Sequence, residues 1–349
     1  MQNFSLTVLN PKGNDPCQSF PNHAGEVDSS VHAPISYHAY AACTGGTFLR
    51  SVDKAISLNQ PVLLLINVHE KRCYNALQVL KKAGLPVAIS LKETGSHQFA
   101  EKFGNPKKLR LFKKIVALAD GVITPTKALV TVYRALRPDS KPESVKFIPI
   151  PYPVMDKRWD FSIPLAERKG IFLGTRELNI TSRNHIASLI ILSSYIKRHK
   201  IKLGLINKDG RQLRQVIKEL DIPNNLIDIQ THLNYPNYLK FISKHRIVMQ
   251  LDQSMVPGQV AGDATLTRMI CVGGNGAIDQ LIFPDFSHKF HSRDFLMNKI
   301  NQLLNDDVYY HESLLTAQKN AINLISYPVI AKSLQEFFEH ELHLTQHSS

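Results

Sequence analysis

Two doubly wound α/β domains with parallel sheets are predicted by three observations. Short apolar runs alternate with amphipathic stretches; one proline-dense break falls near the middle of the chain; and a second alternation of the same kind follows it. In the first half, 61–68, 86–91, 120–124 and 145–149 read as buried strands, being continuous apolar runs of strand length. Helical periodicity fills the intervals, as in 75–82 and 126–136. Strand, helix and parallel strand in succession imply right-handed crossovers.

The break is Pro149-Ile150-Pro151-Tyr152-Pro153, where three prolines in five residues forbid a continued helix or a central strand. The charged stretch 155–169 follows, and 170–174 opens the second sheet. Further strands are expected at 202–206, 226–230, 246–251 and 269–272, with helices at 184–197, 211–219 and 235–243. From Ser292 onward the pattern is helical, and 331–343 is expected to cross back and brace the first domain. The expected organisation is 1–152 and 153–325 as Rossmann-like domains facing a cleft, with 326–349 as the returning helix.

A chain of 349 residues, 43% hydrophobic and 20% charged, has the composition of a globular protein of two middling domains. Its longest apolar runs, 61–66 and 189–192, fall short of the ~20 residues a spanning helix needs. The first residues lack the basic flank and apolar stretch of a secretory signal, so the expected compartment is the cytoplasm, with peripheral contact at the inner membrane face as an added option. Cys17, Cys43, Cys73 and Cys271 stand far apart and read as reduced thiols, and none of the fifteen histidines forms a two-imidazole helical motif, so no metal is expected. An excess of thirteen cations predicts a field that attracts nucleotide phosphates, anionic lipid or nucleic acid. The segment 106–114 concentrates five of these cations beside Leu109, Leu111 and Phe112, as a membrane-docking helix or as a solvated helix face.

In open α/β sheets ligands sit beyond the carboxyl ends of the strands, which directs attention to four places. Gly45 and Gly46, in Thr44-Gly45-Gly46-Thr47, precede the amphipathic run 48–56 and are expected at a helix N-terminus, where backbone N–H groups approach a phosphate; the same pair also makes a plain turn. Residues 174–185 carry Gly174, Thr175, Arg176 and Arg183 between a strand and a long helix, where two guanidinium groups can neutralise a diphosphate or face solvent. Residues 250–264 form a glycine-containing loop that leads into a helix with Asp263 in its first turn, either as a cap or as a carboxylate facing a ligand. Residues 271–279 hold Gly273, Gly274, Asn275, Gly276 and Asp279, a loop suited to a nucleotide or to a tight turn.

The second half resembles the retaining GT-B glycosyltransferases of the family 4 group. That pattern begins with a strand ending in Gly-Arg and a Lys a few residues on, both used on the donor diphosphate; here the correspondence falls on Arg176 and Arg183, with Arg in place of Lys. The family's Glu-x7-Glu motif is degenerate: Asp263-Ala264 matches the second Glu-Ala, Met255 stands where the first Glu falls, and Arg268 and Ile270 replace Gly and Pro. In the first half, 119–126 resembles the family's Ala-Asp strand and Gly45-Gly46 its early glycine loop, while Lys92-Glu93 replaces a histidine.

The resemblance implies transfer of a sugar, with retention, from a nucleotide-diphosphate donor to a hydroxyl acceptor on a glycan or lipid-linked precursor. It needs no divalent metal and no other cofactor. Arg176 and Arg183 are then expected to bind the diphosphate, Asp263 to contact donor hydroxyls, and Gly273, Gly274, Asn275 and Asp279 to line the nucleotide pocket. Glu93 and His97, at the end of a first-domain strand, either face the acceptor or, as loop charges more often do, face solvent. The alternatives are a non-catalytic module binding nucleic acid or a protein, and a nucleotide-sugar epimerase. Nucleic acid is disfavoured, because no basic and aromatic interleaving and no helix-turn-helix or zinc-finger spacing is present.

Overall fold

The structure, a computed structural model, describes residues 4–137, 142–174, 177–208, 210–287 and 292–342. It separates into two compact units, Met1–Met155 together with Ile325–Ser349, and Asp156–Leu324.

The first unit runs β1 (Thr7–Leu9), β2 (Gln18–Ser19), α1 (Tyr37–Cys43), β3 (Thr47–Leu49), α2 (Val52–Leu58), β4 (Val62–Ile66), α3 (Glu70–Lys82), β5 (Val87–Leu91), α4 (Ser96–Phe103), α5 (Pro106–Leu118), β6 (Gly121–Thr124), α6 (Ala128–Leu136) and β7 (Val145–Phe147). Its sheet order is β2-β3-β1-β4-β5-β6-β7, parallel except for the short edge strand β2. β4 and β5 are buried along their whole length, since helices cover both faces, and this is why each reads as an unbroken apolar run. On one face α3 buries Cys73, Ala76, Leu77 and Leu80 at helical spacing, and α5 adds Phe112, Ile115 and Val116 to the same core.

The sequence expectation of a helix over 48–56 is overturned. Thr47, Phe48 and Leu49 pair in register with Thr7, Val8 and Leu9, and only Val52–Leu58 is helical, with Ser51 as its cap. Phe48, Val52 and Ile56 have helical spacing, but a strand beside β1 buries Phe48 almost completely, and that burial outweighs local periodicity.

The second unit runs β8 (Ile171–Gly174), α7 (His185–His199), β9 (Leu203–Ile206), α8 (Gly210–Glu219), β10 (Ile227–Gln230), α9 (Tyr235–Ile242), β11 (Ile247–Met249), α10 (Gln259–Leu266), β12 (Ile270–Val272), α11 (Ala277–Ile282), α12 (Arg293–Asn305) and α13 (Asp307–Ile325). All five strands are parallel, in the order β10-β9-β8-β11-β12. The first strand of this unit therefore has its sequence successors on one side and the later strands on the other. The order reverses between β8 and β11, the crevice where open α/β sheets take ligands.

After α13 the chain rejoins the first unit as α14 (Tyr327–Glu336) and a π-helical turn over Phe337–Glu341. α14 packs on α1, the Tyr327 hydroxyl donates to Pro34 O at 3.2 Å, and Phe337 and Phe338 are fully buried. An ion pair between Lys146 and Glu341 and a bridge between Tyr152 and Ser326 fix both ends of this return. No helix among the described residues is long and apolar enough to cross a membrane.

Candidate functional site

The loops that leave β8, β11 and β12 are laced together at the crevice of the second unit. Gln253 N donates to Ser182 O at 2.8 Å, Ser254 Oγ to Ser182 Oγ at 2.8 Å, and Asn184 Nδ2 to Leu251 O at 2.9 Å. The β12 loop joins through Asn275 N to Asp252 O (3.2 Å) and through Met255 N to Asn275 Oδ1 (3.1 Å). Backbone and side-chain bonds together hold three strand ends at one place, a rigid frame for whatever binds there.

Gly174 closes β8, and among the described residues a Cβ at this position would meet Val260 Cγ2 at an ordinary 3.8 Å, so packing against them does not demand glycine there. Thr175 and Arg176 lie outside the described residues. Arg183 ends the turn before α7, and its Nη1 donates to Glu177 Oε2 at 2.8 Å, while Lys208 reaches the other oxygen at 3.5 Å. α7 begins at once; no side chain caps it, its first turn carries no acid, and Asn184, at the cap position, spends its amide on Leu251. The first residue of α7, His185, is 6% exposed, and neither ring nitrogen has a hydrogen-bond partner. Burial, assisted by the Arg183 charge, pushes its pKa down to about 4, so the ring is neutral at pH 7.

Asp263 is 1% exposed and stands in the second turn of α10, not in its first. The helix starts earlier than the glycine content suggests: Gly258 adopts the left-handed conformation (φ 91°), and Gly262 N already donates to Gly258 O. Asp263 is therefore not the cap of α10, a place that Gly258 takes, and its Oδ1 accepts from the Tyr235 hydroxyl of α9 at 2.5 Å.

Asp279 is the second buried carboxylate, 2% exposed in the first turn of α11. Gln250 Nε2 donates to its Oδ1 at 2.8 Å and Cys271 Sγ lies 3.5 Å from the same oxygen. Burial raises its pKa to about 6. The neighbouring glycines follow from this carboxylate. A Cβ at Gly274 would fall 2.0 Å from Asp279 Oδ1, and one at Gly276 would fall 2.6 Å from Oδ2 and 2.8 Å from Gly258 Cα. The glycines expected to line a nucleotide thus have an internal reason of their own: two loops cross over a buried acid.

Gly45 and Gly46 lie elsewhere. They end α1 instead of starting a helix, their N–H groups donate to Ala42 O (3.2 Å) and Ala41 O (2.8 Å), and they lead into the amino end of β3. A Cβ on Gly46 would come 2.0 Å from Leu6 O. The expected phosphate-facing helix N-terminus is overturned, and the pair is a helix C-cap pressed against β1.

Sequence reasoning missed the carboxyl edge of the first sheet, where the order reverses between β1 and β4. Asn67 Nδ2 donates to Asn10 Oδ1 (2.6 Å) and Pro11 O (3.0 Å), Asn10 Nδ2 donates to Asp15, and Lys92 pairs with Asp15. Burial pushes the Asp15 carboxyl up, but the hydrogen bond and charge of Lys92 outweigh it and leave a net lowering. His38 stacks on Phe48 and contacts Pro16 O at 2.9 Å, and burial takes its pKa down to about 4. The signal that finds this edge is Leu6–Leu9 followed by the turn-forming Asn-Pro-Lys-Gly-Asn. Glu93, just beyond β5, is exposed, and the His97 side chain lies outside the described residues.

On α5 the five cations Lys107, Lys108, Arg110, Lys113 and Lys114 are exposed and make no ion pair among the described residues. Phe112 is fully buried against Phe103 and Leu109 and Leu111 are half-buried, so the helix presents charge outward and its apolar side to the core. Cys43, Cys73 and Cys271 are buried free thiols and Cys17 is an exposed one.

No protein-family model matches the chain, and no curated protein matches it in sequence. Solved structures do. An alpha-glucosyltransferase in complex with UDP-glucose and DNA containing an abasic site superposes with a TM-score of 0.63 at 14% identity, over 96% of this chain and 99% of that one. A glycosyltransferase from Rickettsia africae ESF-5 matches with a TM-score of 0.60 at 11% identity, over 99% and 100% of the two chains. TarM matches with a TM-score of 0.60 at 14% identity over 86% of this chain, which spans 58% of TarM's length. At these identities the likeness is one of fold: the chain has the GT-B architecture of two Rossmann-like domains.

Proposed function

We propose that the chain is a glycosyltransferase that moves a sugar from a nucleotide-diphosphate donor to a hydroxyl acceptor, with the second unit holding the donor and the first serving the acceptor. The observation that carries this reading is the β8–β11 crevice: an uncapped helix start, Arg183 immediately before it, and three loops locked around it, in a fold shared over nearly its full length with a glucosyltransferase solved with UDP-glucose. Arg183, with Arg176, would neutralise the diphosphate and offset the charge that grows as the glycosidic bond breaks. Protein cations and a helix terminus supply that charge, so no divalent metal is required. Retention, and membership of the family 4 group, belong to the same proposal.

The acceptor we infer is a glycan or lipid-linked precursor. The exposed cations of α5 suit an anionic membrane surface that carries it, held by charge because Phe112 beside them is buried and Leu109 and Leu111 are half-buried. A second reading, a nucleic-acid acceptor, is favoured by one observation: the glucosyltransferase that matches end to end was solved with DNA.

The deciding experiment is calorimetric titration with UDP and UDP-glucose, followed by sugar release in the presence of EDTA. Binding and EDTA-resistant turnover support the proposal; a chain that binds neither nucleotide nor nucleotide sugar overturns it. Co-sedimentation with anionic vesicles, set against duplex DNA at equal ionic strength, separates the two acceptor readings.

A further inference from the structure

We propose that His185 is a diphosphate-binding residue, a neutral imidazole that holds the donor together with Arg183 and the open N-terminus of α7. This inference rests on the reading of the second unit as a nucleotide-sugar site and adds to it a residue that neither motif nor spacing selects.

Three histidines are buried among the described residues: His38, His185 and His245. His38 contacts Pro16 O at 2.9 Å and His245 contacts Ile242 O at 3.1 Å. His185 alone has both nitrogens unbonded. A buried polar group without a partner weakens the free protein, and an apolar side chain of the same volume would avoid that cost. Its position accounts for its presence. It is the first residue of the fifteen-residue helix α7, at the crevice where the strand order reverses, two residues after Arg183. The helix dipole and the guanidinium both draw an anion to this point, and the orphan ring supplies the third contact.

The charged groups around the ring are Arg183 and Glu177 on the β8 loop and Asp252 on the β11 loop. The ring is neutral at pH 7, so it does not repel Arg183, and one nitrogen carries the proton to be donated to a phosphate oxygen. Both nitrogens are shielded from solvent in the free protein, so the ring engages the ligand by turning about its own side-chain bonds.

The test compares the parent protein with His185→Leu and His185→Gln, using UDP and inorganic pyrophosphate as titrants and the ligand-free thermal midpoint as a second readout. The expected result is a Leu variant no less thermostable than the parent, with UDP and pyrophosphate affinity at least tenfold weaker. The Gln variant, which keeps an N–H donor, should recover part of that loss. If the Leu variant does not fold, Gln and Asn carry the comparison, with the shorter Asn expected to bind UDP at least tenfold more weakly than the parent at a similar thermal midpoint. Variants that lose stability but bind UDP as tightly as the parent overturn the assignment and leave the glycosyltransferase reading intact. A parent protein that binds no nucleotide and no pyrophosphate overturns both.

Discussion

The two units place their strand-order reversals in equivalent positions and treat the polar groups there in opposite ways. Between β1 and β4 the side chains of Asn10, Asn67, Asp15 and Lys92 bond to one another. Between β8 and β11 the loops are bonded to one another as well, but three groups beside them stay open: no side chain caps α7, neither ring nitrogen of His185 has a hydrogen-bond partner, and Arg183 pairs, among the described residues, with the partly exposed carboxylate of Glu177. A network that satisfies itself fixes shape, whereas donors left open near positive charge are what an incoming anion satisfies. The same topology thus gives one edge that is finished and one that is poised.

The largest effect expected from this contrast is at Arg183. Arg183→Ala should lower UDP-sugar turnover by about 10²–10³-fold, the scale of a lost transition-state charge contact. It should barely move the thermal midpoint, because a half-exposed ion pair contributes about 0–1 kcal/mol. Equal loss of turnover and fold would mean that Arg183 is structural. Next in size is the pH response of Asp279, whose folded pKa of about 6 lies above its ordinary 3.8. A raised carboxyl favours folding below pH 4, and that contribution is lost as pH rises through 6. Asp279→Asn should therefore gain on the parent by on the order of 2 kcal/mol between pH 4 and pH 7 in urea unfolding. A constant difference across that range would show that the acid is not buried as described. In the first unit, Asn67→Ala should cost about 1–3 kcal/mol of stability, since it takes away the donor to the buried Asn10 Oδ1. It should leave UDP affinity unchanged; weaker UDP binding would show that the two edges do not divide their labour in this way.

The long strands and most helices are legible in the sequence because burial on both faces writes itself as unbroken apolar runs, as in Val62–Ile66 and Val87–Leu91. The three-residue strands β1 and β3 leave no such run; their pairing is set by register with distant residues, and Phe48, Val52 and Ile56 imitate a helix. The start of α10 is misread for a related reason. Gly262 looks like loop, but a glycine inside a helix costs only about 1 kcal/mol, and Gly258 supplies the left-handed residue that the helix start uses. Glycine-rich loops mislead further because a ligand's backbone and a buried acid make the same demand for missing side chains, and at Gly274 and Gly276 the acid is in the same chain. His185 has no sequence signature at all. Its distinguishing property is the absence of a partner, which exists only once β8, β11 and α7 have been brought together.

The smallest expected effect sharpens the contrast most directly. Glu177 holds Arg183 in the free protein and is shared with Lys208. If the second edge is poised for an anion, this carboxylate occupies the place that a phosphate takes, and a ligand must displace it. Glu177→Gln should then raise UDP affinity a few-fold, the scale of one half-exposed ion pair. The gain should be greatest at low salt, where the released guanidinium attracts the diphosphate most strongly, and should shrink as the ionic strength rises toward ~0.5 M. Calorimetric titration at two salt concentrations reads both the sign and the slope. A fall in affinity instead would make Glu177 the group that aims Arg183, and the second edge would then resemble the first, finished by its own side chains before any ligand arrives.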